Sequence, residues 1–213
     1  MAPTLEAERR LWALGYFCVA GVDEAGRGPW AGPVVAAAVV LPPQREDLEE
    51  ALAGVDDSKR LTPAQREDLF HTIHTVALTV GVGQASHEEI DALGIVPATQ
   101  LAMKRALAAL SPQPDYLLLD HLALPDVNIP QRSFVRGDAQ VLSIAAASII
   151  AKVTRDRIMV EMDARYPGYG FAQHKGYGTR AHREALARLG PSPIHRRTWA
   201  PVREVLTRGR KNA

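Results

Sequence analysis

The stretch 21-GVDEAGRGPWAGPVVAAAVVLP-42 places two adjacent acids, Asp23 and Glu24, between two apolar segments. Upstream, Tyr16–Val22 is apolar and aromatic and predicts a strand. Downstream, Val34–Leu41 is an unbroken apolar run stopped by Pro42-Pro43 and predicts a second, buried strand. Carboxylates at the edge of a core are costly unless a positive group meets them. Arg27 is one such group and a metal ion is another. Neighbours on a regular strand point to opposite faces. Both acids are therefore expected to reach one ion only if the strand breaks where they stand. The glycines of Ala25-Gly26-Arg27-Gly28-Pro29 allow such a break.

Working outward, Thr4–Leu14 predicts a short helix. Thr62, Pro63 and Gln65 form a capping box with proline at the first helical position, opening a helix to about His74. Val76–Gly83 alternates as a strand does. Ser86 and Glu89 open a helix ending near Gly94, and Pro97 opens another that runs to Leu110. Tyr116–Asp120 and Arg132–Val135 predict further strands, and Arg136-Gly137-Asp138 leads into the longest helix, about Ala139–Arg165. A Gly- and Tyr-rich loop, Tyr166–Tyr177, precedes a helix over Thr179–Leu189, and Pro201 opens a last short one. Arg208–Ala213 reads as a loose basic tail. Strands alternating with helices predict an α/β fold, a mixed five-stranded sheet flanked by helices. Residues 1–213 are expected to form one catalytic domain, with residues from about 166 to 213 a helical and loop extension packed on it.

The chain has 213 residues, 46% of them hydrophobic, enough for a substantial core. Cys18 is the only cysteine, which excludes an internal disulfide and a Cys-rich zinc site. The N-terminus has no apolar signal core, and no apolar run approaches the roughly 20 residues that span a bilayer. No membrane association and a cytoplasmic location are expected. The net charge of +1 conceals an asymmetry: residues 1–131 carry 9 Lys and Arg against 18 Asp and Glu, and residues 132–213 carry 16 against 6. A basic C-terminal third suits a partner made of phosphates. Attraction between the two halves is the plainer reading.

Two more acids stand at predicted strand or helix ends. Asp120 closes an apolar strand and Asp138 opens a helix. Singly, each acid has an ordinary explanation: an ion pair with Arg27, the first polar residue of a loop, or a helix cap. Together, four acids at one sheet edge, with no His or Cys set at ligand spacing, match a hard oxygen-ligand site for Mg²⁺ or Mn²⁺.

The opening stretch closely resembles the first motif of the ribonuclease HII family, the bacterial type 2 ribonucleases H. So do DDSKRLTPAQRE (Asp56–Glu67), VRGDAQVLSIAAASIIAKVTRD (Val135–Asp156), YPGYGFAQHKGYGTRAHREAL (Tyr166–Leu186) and LGPSPIHRRTW (Leu189–Trp199), in the family's order. The resemblance implies a ribonuclease H-like fold and endonucleolytic cleavage of RNA in RNA–DNA hybrids and at single ribonucleotides within duplex DNA. It implies 5′-phosphate and 3′-hydroxyl products, a role in ribonucleotide and RNA primer removal, and two ions during catalysis. The four catalytic and metal-binding acids would be Asp23, Glu24, Asp120 and Asp138. One departure is His121, where the family commonly has glycine or alanine.

The resemblance also assigns substrate contacts. Gly26, Arg27 and Gly28 would read the ribose 2′-hydroxyl, where the residues alone allow an ordinary tight turn equally well. Ser58 and Lys59 would hold backbone phosphate. Tyr177 would stack on the sugar after the ribonucleotide. Lys152, Arg155, Lys175, Arg180, Arg183, Arg196 and Arg197 are further candidates for phosphate contact. His174 and His195 lie in matched motifs without an assigned role. A monomer is expected. The competing readings are another metal nuclease or a recombinase on the same fold, a non-catalytic hybrid-binding module, and a two-carboxylate glycosidase.

Overall fold

The apolar run after the Gly-Arg-Gly turn becomes the centre of the molecule. The computed structural model describes residues 2–211, with side chains through residue 207. Strands β1 (Val19–Ala25), β2 (Val34–Val40), β3 (Thr79–Ala85), β4 (Tyr116–Asp120) and β5 (Gln131–Phe134) form one mixed sheet in the order β3-β2-β1-β4-β5. The β1–β2 and β2–β3 pairs are antiparallel; β1–β4 and β4–β5 are parallel.

Every residue of β2 is buried because both faces of the sheet are covered. Ala37 and Val39 face helix α6 (Leu142–Arg165), and Ala36, Ala38 and Val40 face helix α5 (Ile95–Ala108). The first ten residues of α6 are buried all round, as expected of a helix through the core rather than over it. Helix α3 (Pro63–Val76) carries the predicted capping box and packs beside α6.

Helix α1 (Glu6–Ala13) performs a task the sequence does not announce. Val141, which precedes α6, has no capping side chain. The buried Glu8 replaces it: its Oε1 accepts the Ser143 N–H at 2.8 Å, satisfying an orphan donor of the helix terminus.

Several boundaries differ from the sequence reading. β1 does not break at the acids but continues through Asp23 and Glu24 to Ala25, paired with β2 throughout. β3 begins at Thr79 rather than Val76, since Val76 completes α3. α6 begins at Leu142 because Gly137–Ala139 form a separate 3-10 turn. Two short helices were not anticipated, α2 (Leu48–Ala51) and α7 (Phe171–His174). After α4 (His87–Leu93) and α8 (Arg180–Leu189), the last helix, α9 (Ala200–Lys211), takes in the first part of the basic tail, and Asn212 and Ala213 lie outside the described residues. Phe171 and Ile194 pack on Ala31 and on Met159 of α6, which seats the C-terminal segment against the loop that follows β1.

Candidate active site

Parallel pairing brings the first two acids together. Val22 of β1 lies opposite Leu119 of β4, so Asp23 and Asp120 follow side by side at the strand ends, where ligands of such sheets collect. Asp138 arrives from the 3-10 turn after β5. That turn is fastened by the Gly137 N–H, which donates to Asp120 Oδ1 at 2.6 Å. One carboxylate oxygen from each of Asp23, Asp120 and Asp138 lies within 4.8 Å of the others. Asp23 and Asp138 are buried and Asp120 is partly so.

Glu24 stands apart from this trio because β1 stays regular. Asp23 faces the α6 side of the sheet and Glu24 the other, opposite Ala36. Its Oε1 accepts from Arg27 Nη1 at 3.2 Å, and its Oε2 is buried with no hydrogen-bond partner among the described residues. The Glu24–Arg27 pair and the acid cluster therefore coexist.

The carboxylates strain against one another. Burial, then the charges of Glu24 and Asp120, push the Asp23 carboxyl well above the usual range. Burial raises Asp120, opposed by the Gly137 hydrogen bond, and raises Glu24, opposed by Arg27. Crowded, buried acids of this kind hold protons or take up cations. Lys59 Nζ supplies part of the positive charge, 3.1 Å from Asp138 Oδ2 and 3.6 Å from Asp57 Oδ1. That placement was not anticipated. Ser58 is buried, and its N–H donates to Ser148 Oγ at 3.3 Å.

The Gly-Arg-Gly turn is held from behind by two arginines that the sequence reading placed on phosphate. Arg196 and Arg155 are wholly buried. Arg196 donates to the carbonyls of Gly26 (2.6 Å), Arg27 (2.8 Å), Gly32 (3.0 Å) and Pro33 (3.3 Å). Arg155 donates to those of Pro33 (2.9 Å), Lys175 (3.0 Å) and Ala31 (3.2 Å). Among the described residues neither pairs with a carboxylate; each offsets its desolvation through carbonyl dipoles. The turn's carbonyls thus point inward. The N–H groups of Gly26, Arg27 and Gly28 make no hydrogen bond among the described residues. Lys152 is paired with Asp156 at 2.7 Å, and Arg180 with Glu184 at 3.4 Å.

Tyr177 is 41% exposed. Its ring lies near Lys152 and Arg155 and lines a groove of about 670 Å³ together with Arg66, Arg157 and Lys175 and the acids Glu67, Asp156 and Glu161.

A ribonuclease HII family model matches residues 20–202. The chain belongs to the ribonuclease HII family. A ribonuclease HII from Chloroflexus aurantiacus is 58% identical over 206 residues, 97% of each chain. The ribonuclease H2 of Pyrococcus horikoshii superposes with a TM-score of 0.74 at 33% identity, covering 91% of this chain and 99% of its own. Bst-RNase HIII, solved in complex with Mn²⁺, shares the fold with a TM-score of 0.69 at 18% identity, over 92% and 71%. The chain is an endoribonuclease, a hydrolase with ribonuclease H activity, and its trio of aspartates could hold a metal ion. Among the described residues no helix is long and apolar enough to cross a membrane.

Proposed function

We propose that the enzyme cuts the RNA strand of RNA–DNA hybrids and the strand beside single ribonucleotides embedded in duplex DNA. The products carry 5′-phosphate and 3′-hydroxyl ends, and the role is removal of RNA primers and misplaced ribonucleotides in the cytoplasm. The observation that carries this reading is the convergence of Asp23, Asp120 and Asp138 at the strand ends beside an outward-facing glycine turn.

The donor set fits divalent cations. It offers only hard carboxylate oxygens, with the Asp23 carboxyl raised first by burial and then by its acidic neighbours, and a buried oxygen on Glu24 that has no hydrogen-bond partner among the described residues. Asp23, Glu24, Asp120 and Asp138 would hold two Mg²⁺ or Mn²⁺ ions, which supply Lewis acidity at the scissile phosphate when bound. The residues do the positioning. Lys59, already at the cluster's edge, would hold a phosphate oxygen, with Ser58 fixing the turn that carries it. The free N–H groups of the Gly26-Arg27-Gly28 turn would donate to the 2′-hydroxyl, which both accepts and donates. Tyr177 would stack on the next sugar, where a second 2′-hydroxyl would collide with its ring. In the groove beside it Lys152 and Arg157 are paired with Asp156 and Glu67, which leaves Arg66 and Lys175 as the cations that would meet the continuing strand. We further infer that residues 1–213 act as one catalytic domain, as a monomer.

The test is a duplex bearing one ribonucleotide, incubated with and without chelator, with the cut position mapped. A single cut beside the ribonucleotide that stops with EDTA and with Asp23→Asn supports the reading. Turnover that survives both refutes it.

A further inference from the structure

Behind Tyr177 lies a buried chain of histidines to which the cleavage chemistry assigns no task. His182 and His195 are both fully buried. Their tautomers follow from their partners. The Ser192 N–H, a fixed donor, points at His195 Nδ1 at 2.9 Å, with Ser192 Oγ 2.7 Å from the same nitrogen. His195 Nδ1 is therefore an acceptor, and the neutral ring carries its hydrogen on Nε2. That Nε2–H faces His182 Nε2 at 3.0 Å. His182 must then accept on Nε2 and carry its own hydrogen on Nδ1, which donates to the Tyr177 carbonyl at 2.9 Å. Burial keeps both rings neutral, lowering His182 to about 4 and His195 to about 3.

The relay is packed on every side. His174 stacks on His182 with ring centroids 4.4 Å apart. Its Nδ1 accepts the Gly176 N–H at 3.2 Å, leaving Nε2–H for the Tyr169 carbonyl at 2.8 Å. Trp30 lies on the other side at 5.2 Å. Gly178 is flush with that indole: a Cβ there would fall 2.2 Å from Trp30 Cζ2. The Trp30 N–H donates to the Gly176 carbonyl at 2.8 Å, and the Arg196 N–H to the Trp30 carbonyl at 2.8 Å. The backbone that aims the exposed Tyr177 ring is thus tied to the same loop that carries Gly26, Arg27 and Gly28.

We propose that His182, oriented by His195, is a positioning residue that sets the stance of Tyr177 against the Gly-Arg-Gly turn, and through it the preference for a deoxyribose after the ribonucleotide. This rests on the reading of Tyr177 as the residue that stacks on that sugar. A directional chain suits the task. Each buried bond is costly to break, and no member can turn without stranding a buried donor or acceptor.

The experiment compares cleavage of a single-ribonucleotide duplex with that of a continuous hybrid of the same sequence, as a ratio of kcat/KM. The variants are Tyr177→Ala, His182→Leu and His182→Asn. Loss of the buried hydrogen bond in His182→Leu is expected to lower the ratio about tenfold, with hybrid cleavage changed less than about threefold. His182→Asn, whose amide N–H can replace Nδ1–H, should keep the ratio near that of the unsubstituted enzyme. If Tyr177→Ala lowers the ratio while His182→Leu leaves it intact, the positioning role is overturned and the reading of Tyr177 stands. If Tyr177→Ala leaves the ratio intact, that reading falls and the proposal with it. Should His182→Leu fail to fold, ¹⁵N NMR of the unsubstituted protein decides. Hydrogen on Nδ1 of His182 and Nε2 of His195 is expected, and hydrogen on Nε2 of His182 overturns the relay.

Discussion

Lys59 Nζ stands 3.1 Å from Asp138 Oδ2, so a lysine ammonium leans on the aspartate cluster. Burial draws its pKa down, but Asp138, Asp57 and Asp23 more than offset this and leave it raised, hence charged at neutral pH. It balances part of the acids' repulsion, and it competes with any cation for Asp138. Its side chain is 75% exposed, so the competition is weak. Lys59→Met is expected to lower the Mg²⁺ concentration for half-maximal activity about two- to fivefold. KM for hybrid should rise at the same time, since the phosphate loses a donor. A Mg²⁺ titration at saturating and at limiting hybrid separates the two effects.

Asp23 is the acid whose carboxyl is most disturbed, raised by burial first and then by Glu24 and Asp120. The sign of its linkage is clear. A carboxyl whose folded pKa lies above its unfolded 3.8 binds its proton more tightly in the folded state. As pH rises from the unfolded value through the raised one, that stabilisation is lost. The metal-free enzyme is therefore expected to lose thermal stability across that window, and excess Mg²⁺ to flatten the slope. Asp23→Asn removes the charge. Its Tm without metal should exceed that of the unsubstituted enzyme by a few degrees, about 2–4 °C for each kcal/mol of relieved repulsion. Its cleavage rate should fall at least about a thousandfold. Calorimetry over pH, with EDTA or Mg²⁺, checks the first, and single-turnover cleavage the second.

Gly26 and Gly28 flank Arg27 but are glycines for different reasons. Gly26 has φ +97, and a Cβ on it would meet Arg155 Nε at 2.0 Å and the Pro33 carbonyl oxygen at 2.8 Å. Gly28 has an ordinary φ, and a Cβ there would meet nothing within 4 Å. Gly26→Ala is therefore expected to cost about 2–4 kcal/mol in stability. Gly28→Ala should leave Tm unchanged within about 1 °C. If the turn lies against the ribose, the same Gly28→Ala should still reduce cleavage of ribonucleotide-bearing duplex, by about tenfold or more, because the added methyl faces the ligand. Equal Tm with full activity would place the substrate elsewhere.

The sequence made the sheet readable because β2 is an unbroken apolar run and β4 ends on an acid, signals that depend on burial and chain direction alone. The Thr62 and Ser86 capping boxes stand as read. The acids were visible together at the strand ends, yet how they converge was not. Asp23 and Asp120 meet through parallel pairing of strands separated by about ninety residues, a register that no local pattern encodes. The break falls at Gly26, after both acids rather than between them, because pairing with β2 carries β1 through Asp23 and Glu24 to Ala25. His121 departs from the glycine or alanine usual in the family at a position with φ +59, where glycine sits without strain. Most opaque were Glu8 and the histidine relay, whose partners lie 135 and 13 residues away in the chain.

Arg196 and Arg197 are adjacent, and both read as phosphate contacts in the sequence, but the structure gives them opposite surroundings. Arg196 is fully buried on four carbonyls. Burial and the like charge of Arg155 lower its pKa to about 9, leaving it charged at neutral pH. The Arg197 side chain is exposed, while its N–H donates to Asp91 Oδ2 at 2.7 Å. Salt separates the two roles. Removing a cation from one phosphate lowers the slope of log K against log salt by about one unit. Arg197→Ala is expected to reduce that slope for hybrid binding, with Tm unchanged. Arg196→Lys keeps the charge but loses the planar fork, so several carbonyls stay unpaired in the core. It should lose about 2–4 kcal/mol of stability, lowering Tm by roughly 4–15 °C, and leave the salt slope intact. A reduced slope in Arg196→Lys with an unchanged Tm would return that arginine to the nucleic-acid surface.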